Sequence, residues 1–188
     1  MTIHYDKRAT LARAKDFLAT NREEDLRYAC LELRMCIEAI CYEKLKNYQK
    51  QIPEELLETW QPQKVVKSLL EYDPDIESDL SLAIFREDED GNPEEIPSFI
   101  GEHKAITLKF INRSYHKLGY YLHVPTIAQQ KIQARKADDL RNDLNRMVSK
   151  LEELCSGTII SANFGITVKF ECQYCNNKVI RNKKSLEK

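Results

Sequence analysis

The chain has 188 residues, 42% of them hydrophobic and 31% charged, with only five glycines and six prolines. That balance excludes a disordered chain, and a formal net charge of −1 supplies no global field for nucleic acid, so any such binding must rest on a local patch. No run of about 18 apolar residues offers a membrane span, and the polar start MTIHYDKRATLARAK lacks the apolar stretch of a signal peptide, which predicts a cytoplasmic protein.

Residues 5–19 predict a short amphipathic helix with Leu11, Ala14 and Leu18 on one side. Thr20 followed by Glu23 has the spacing of a capping box, and Leu26, Cys30, Leu33, Ile37, Ile40 and Cys41 recur as one helical face, so a long helix is expected to about Gln49. Cys30, Cys36 and Cys41 lie inside it and read as small hydrophobes in a reducing compartment. On its polar side Arg34 and Glu38 stand four apart, the spacing of a local ion pair.

Pro53 and Pro62 each open a short helix, since proline is tolerated in a first helical turn. Leu82, Ile84, Phe85 and then Ile96, Phe99 and Ile100 flank the turn-rich DEDGNPEE, the pattern of a hairpin. Asp88, Asp90 and Asn92 alternate as calcium ligands do. However, Pro93 stands where an EF-hand loop needs glycine and Phe99 where it needs glutamate, so the tip reads as a solvated acidic turn.

Residues 105–122 return to helix, closed by Pro125. A last long helix is expected from Thr126, with Gln129 completing a capping box, and Ala137, Leu140, Leu144, Met147, Leu151 and Leu154 make a narrow apolar seam directed at the domain's own core. Cys155 reads as a core residue at the helix end. After Gly157 the runs TIISANFGITVKFEC and KVIRN are β-branched and aromatic, predicting a hairpin around Asn163, Phe164 and Gly165 and a further strand. The expected organisation is therefore mainly α: a helical bundle over 1–155 and a small β appendage over 156–188.

At about 100° per residue, Arg113, His116, Lys117, Tyr120 and His123 share one sector of the fifth helix, opposite Phe110, Ile111, Leu118, Tyr121 and Leu122. Imidazoles suit proton transfer near neutrality and cations stabilise phosphate, so this face is the candidate site for phosphodiester chemistry; the plain alternative is a solvated helix side. Gly119 within the helix would permit close approach of a neighbour.

The long helix DLRYACLELRMCIEAICYEKL, followed later by a helix with KLGYYLH, resembles HEPN domains, over roughly residues 5–155. The resemblance implies a dimeric helical bundle of prokaryotic defence or stress systems, many members of which are metal-independent ribonucleases using an arginine, four to six intervening residues and a histidine. Here the matching histidine is His123, and Lys117 stands at the arginine position, with LGYYL between. Arg113 lies one turn earlier, outside that interval. Lysine lacks the planar fork that grips phosphate with two parallel bonds, so the resemblance implies binding of RNA, a nucleotide or a protein partner more than cleavage. If cleavage occurs, a 2′-hydroxyl attacks the adjacent phosphate with His123 as base or acid and Lys117 or Arg113 steadying the charge. A third reading is a purely structural dimerisation or interaction module.

Cys172 and Cys175 have the spacing of one zinc knuckle, with strand-like TVKF before and the turn-forming Asn176 and Asn177 after. A structural zinc is expected there. Its remaining ligands would come from beyond Lys188, from a second subunit, or from Cys155 and a histidine folded back. Lys178, Arg181, Lys183, Lys184 and Lys188 make the tail locally basic, a further candidate nucleic-acid contact.

Overall fold

The computed structural model describes residues 6–20, 22–124, 127, 137–159, 167–171 and 178–182, with the backbone alone for Ala137 and for the last two segments. Helix α1 spans Lys7–Ala19. The Asp6 carboxylate starts it by accepting from the amides of Arg8 and Ala9 at 2.9 and 2.8 Å. Thr10, Leu11, Ala14 and Leu18 are buried, the three-and-four spacing that the sequence predicts for the inward side.

Helix α2, Glu23–Asn47, is the central element. The expected capping box does not form. Its N-cap is Arg22, because Thr20 closes α1: the Thr20 amide bonds to the Phe17 carbonyl, and the single proton of its hydroxyl has Phe17 O and Asp25 Oδ2 as acceptors, at 3.0 and 2.7 Å. Asp25 is buried and also takes the Arg22 guanidinium at 2.6 Å, which draws the carboxyl below its ordinary range. Three acidic residues in the first turn and Lys44 and Lys46 in the last complement the helix dipole.

Two apolar clusters meet along α2. The larger joins Leu26, Leu33, Cys36, Ile37 and their neighbours to α1, to α5 (Leu108–Leu122) and to α6 (Ala137–Ser156). The smaller gathers Leu45, Tyr48 and Ile52 against Val65, Leu69 and Ile76. It draws on α4, Pro62–Tyr72, where Pro62 occupies the first turn; the short α3, Glu54–Leu57, follows Pro53 as its cap. At its edge the buried Lys44 ammonium donates to the Ile76 carbonyl at 2.6 Å, and Tyr48 donates to Asp73.

The seam of α6 faces the molecule's own interior: Leu144, Met147, Leu151 and Leu154 are buried and Leu140 packs beside them. Val148 and Cys155 are buried too, so the stripe is wider than a coiled-coil seam and fits a helix embedded in a bundle. No described helix is long and apolar enough to cross a membrane.

Strands β1, Leu80–Ile84, and β2, Phe99–His103, form the expected antiparallel hairpin, in register from Leu80↔His103 to Ile84↔Phe99. At its tip Asp88 Oδ1 accepts from the amides of Asp90 and Asn92 at 3.0 and 2.8 Å, and Gly91 has φ of 79°. The Asp88 carboxylate thus organises its own turn. The chain leaving α6 returns to this hairpin: Ile159 N donates to Glu102 O at 3.0 Å, and Glu102 N donates to Thr158 Oγ1 at 2.9 Å. A Cβ at Gly101 would stand 2.4 Å from Ile159 Cδ1, so only glycine lets Ile159 lie across β2.

Strands β3, Thr167–Glu171, and β4, Lys178–Asn182, pair antiparallel, from Thr167↔Asn182 to Glu171↔Lys178, which places a strand at KVIRN. Cys172 and Cys175 lie outside the described residues, as do the turn expected at 163–165, the cap at Thr126 and Gln129, and the tail cations Lys183, Lys184 and Lys188.

Candidate functional site

Helix α5 begins at Leu108, three residues inside the expected start, and is capped by Thr107, whose hydroxyl accepts from Phe110 N at 3.2 Å. Its apolar side packs into the main cluster through Ile111 and Leu118, with Phe110, Tyr121 and Leu122 partly buried against it. Ser114 and Tyr115 are buried as well, which turns the inward side further toward α2 than the sequence suggests.

The outward side carries Arg113, His116 and Tyr120, all exposed. His123 is exposed too, but it is the C-cap: its backbone is extended, at φ −88° and ψ 149°, and its amide donates to Gly119 O at 3.1 Å. The position of its imidazole is therefore set by the chain leaving the helix and not by helical phase. Among the described residues Arg113, His116 and His123 make no side-chain hydrogen bond or ion pair.

Lys117 differs. Its ammonium is half-buried and stands 2.5 Å from Asp143 Oδ2 on α6, a carboxylate that also accepts from Tyr121 OH at 3.3 Å and faces Arg146 at 3.8 Å. The cation at the position of the expected catalytic arginine is thus already neutralised. The described structure brings together Arg113, His116 and Tyr120 as one accessible surface, keeps His123 at its lower end, and turns Lys117 into a strut between α5 and α6.

A polar cluster that sequence reading did not find lies behind this face. Tyr115 OH donates to Glu38 Oε1 at 2.7 Å and accepts from Arg34 Nη2 at 2.6 Å, while the Arg34 guanidinium carbon sits 4.0 Å from the Tyr115 ring centroid. Arg34 and Glu38 form the expected pair at 3.4 Å, yet its stronger contacts are to the tyrosine. Burial first, and then the Glu38 carboxylate, push the Tyr115 phenol up to about 12. Gly119 lies over Arg34, 3.7 Å from Nη1 to an added Cβ, so the close approach expected at this glycine is to a guanidinium. The signal in the sequence was the pair Arg34 and Glu38; its partner could not be read.

Glu38 also lines a cleft of about 570 Å3 along α2 with Asp6, Lys7, Met35, Tyr42 and Lys46, which contains none of the expected site residues. His103 is buried in β2, its Nδ1 3.2 Å from Ile159 O, and desolvation holds its imidazole below the ordinary range. Among the described residues no group of three or more His, Cys, Asp or Glu side chains is placed to hold a metal ion. Compared with family models, curated proteins and solved structures, the chain matches none.

Proposed function

We propose that the helical domain is an HEPN-like module that binds RNA through the outer face of α5 without cleaving it. The observation that supports this reading is the division of labour on that face: Arg113, His116 and Tyr120 are accessible, whereas Lys117 is held by Asp143. A guanidinium and imidazoles meet phosphate, and an exposed tyrosine, 45% accessible, offers a stacking surface to an unpaired base. A cation already paired with a carboxylate contributes little to stabilising new negative charge at phosphorus, which favours binding over catalysis.

Fluorescence anisotropy with a labelled single-stranded RNA tests the reading. Wild type should bind, and Tyr120→Ala should weaken binding by about 1–3 kcal/mol, the stacking contribution of one base. Arg113→Ala should weaken it further and flatten its salt dependence. Binding unchanged in both variants would remove the face from consideration. RNA should stay intact with wild type; cleavage that disappears in His123→Ala would instead support the endoribonuclease with His123 and Lys117 or Arg113. Cleavage gained by Lys117→Arg would mark a degenerate catalytic site.

A second reading, dimerisation or partner docking, is favoured by the outward apolar side chains of the hairpin, among them Ile96 and Ile100. A monomeric sedimentation profile at micromolar concentration would count against the homodimer. A cytoplasmic, defence or stress setting and a structural zinc held in part by Cys172 and Cys175 belong to the same proposal. Zinc content per chain in protein handled without chelators checks the latter: half an equivalent supports a site shared between two chains, one equivalent a site completed within the chain, and none shows that the pair holds no zinc in the 188-residue chain.

A further inference from the structure

At Gly119 a side chain from another helix comes through to the surface of α5. Arg34 rises from α2 with its guanidinium carbon 4.0 Å from the Tyr115 ring centroid, and its Nη1 ends 3.7 Å from where a Cβ at Gly119 would stand. The guanidinium therefore lies where a side chain at 119 would begin. On a helix such a spot adjoins the positions three and four residues away, here Tyr115, His116 and Leu122. Gly119 is half-buried, whereas His116 and Tyr120 beside it are exposed, and His123 follows one turn on, its amide bonded to Gly119 O at 3.1 Å.

A guanidinium carries its N–H donors as a planar fork. Arg34 Nη2 donates to Tyr115 OH at 2.6 Å and Nε to Glu38 Oε1 at 3.4 Å, while Nη1 has no acceptor among the described residues. The side chain is 25% accessible, and Nη1 is not sealed from water. Lys117 supplies the contrast. Its ammonium lies 2.5 Å from Asp143 Oδ2, so the carboxylate takes the charge directly. Glu38 instead receives its close bond, 2.7 Å, from Tyr115 OH and stands 3.4 Å from Arg34. That looser pairing leaves the outer edge of the fork available for an anion.

We infer that Arg34, presented through the gap at Gly119 beside His116, is a phosphate subsite of the α5 face. The phosphate is a phosphodiester of the bound RNA strand, and in that respect the inference rests on the RNA-binding reading of this face. Stacking on the Tyr115 ring and the bond to its hydroxyl hold the guanidinium in place before the ligand arrives, so little side-chain freedom is lost on binding. Arg113, exposed and without a side-chain partner among the described residues, must be ordered when it binds. The His116 imidazole adds a donor beside the same phosphate, and Tyr120 takes a neighbouring base. Position 119 sets the access, because a side chain longer than a methyl group would cover Nη1.

An NMR titration of wild type with inorganic pyrophosphate, run beside anisotropy with the labelled single-stranded RNA, tests the subsite. Pyrophosphate should move the Gly119 amide and the Arg34 Nε–H resonances saturably. Arg34→Gln should weaken RNA binding about tenfold, and Gly119→Leu, which keeps every charge but covers Nη1, should do the same. Tyr115→Phe removes only the hydroxyl that steadies Arg34 and should change affinity by no more than about threefold. A loss in Tyr115→Phe equal to that in Arg34→Gln would reduce Arg34 to a structural role and overturn the inference. Weakened binding in Arg113→Ala and Tyr120→Ala, with Arg34→Gln and Gly119→Leu at wild-type affinity, overturns the subsite and leaves the RNA reading standing. Saturable pyrophosphate shifts at Arg34 and Gly119 without RNA binding keep the phosphate subsite and remove the RNA reading. Pyrophosphate shifts absent from both residues overturn the subsite on wild type alone, whether or not a variant folds.

Discussion

The α2 core and the β1–β2 hairpin are held by different forces. Along α2, Leu33, Cys36 and Ile37 are wholly buried and touch helices on several sides, so stability there comes from apolar surface removed from water. The hairpin keeps Ile100 65% exposed and is fastened by backbone pairing and polar tethers: Ala105 N to Asp79 Oδ1 at 2.8 Å, and Glu102 to Thr158 and Ile159. Apolar packing is unforgiving of lost volume, whereas a tethered ribbon tolerates changes to side chains that touch only solvent. The bundle therefore supplies the rigidity, and the exposed side chains of the hairpin and of the outer face of α5 are free to vary.

The sharpest break of this contrast is Leu33→Ala against Ile100→Ala in urea denaturation. The first should cost about 2–5 kcal/mol through the cavity it leaves, and the second should stay within about 0.5 kcal/mol. An equal cost at both positions would show that the hairpin's apolar side is covered in solution.

Next in size is a pH effect confined to the bundle. Desolvation, only partly offset by neighbouring charges, lowers Lys44 from 10.5 to about 8. Between those values the unfolded chain binds a proton that the folded chain does not, so this residue makes stability rise with pH from about 8 toward 10.5. Its destabilising contribution is full below pH 8 and is on the order of 3 kcal/mol. Lys44→Met should remove that slope, measured as the difference between the two proteins' denaturation midpoints across the range. A slope unchanged by the substitution would place its origin elsewhere.

Thr158→Val should loosen the hairpin's tether by about 1 kcal/mol, through the lost acceptor for Glu102 N, and should raise hydrogen exchange in β2 ahead of α2. Gly119→Ala is the smallest change and has the opposite sign. An added Cβ meets only Arg34 Nη1, at an ordinary 3.7 Å, so the helix should gain up to about 1 kcal/mol, seen as a higher Tm. A loss would mean that Arg34 needs the space, and would tie Gly119 to the Arg34–Tyr115 contact.

Much of the bundle was legible because a helix advertises its buried side locally. Leu11, Ala14 and Leu18, and the recurrence from Leu26 to Cys41, are periodic within a few turns, and the hairpin announced itself by a turn-rich stretch between apolar runs. The capping box at Thr20 was misread for a local reason: two helices compete for one threonine, and the motif does not say which of them wins. At the candidate site the sequence placed Arg113, His116 and Tyr120 together correctly, since helical phase alone does that.

Periodicity and composition by themselves determined a mainly helical chain, the inward face of each long helix and the identity of the polar side of α5. Tertiary structure decided which of those polar groups are free. Lys117 is neutralised by Asp143 from another helix, Arg34 and Glu38 converge on Tyr115, and the Cys36 thiol meets the Lys7 carbonyl in the first turn of α1. The physical reason is one of range: helical phase is set by neighbours three and four residues away, whereas the charge state and reactivity of a side chain depend on whatever packing brings within a few ångströms of it.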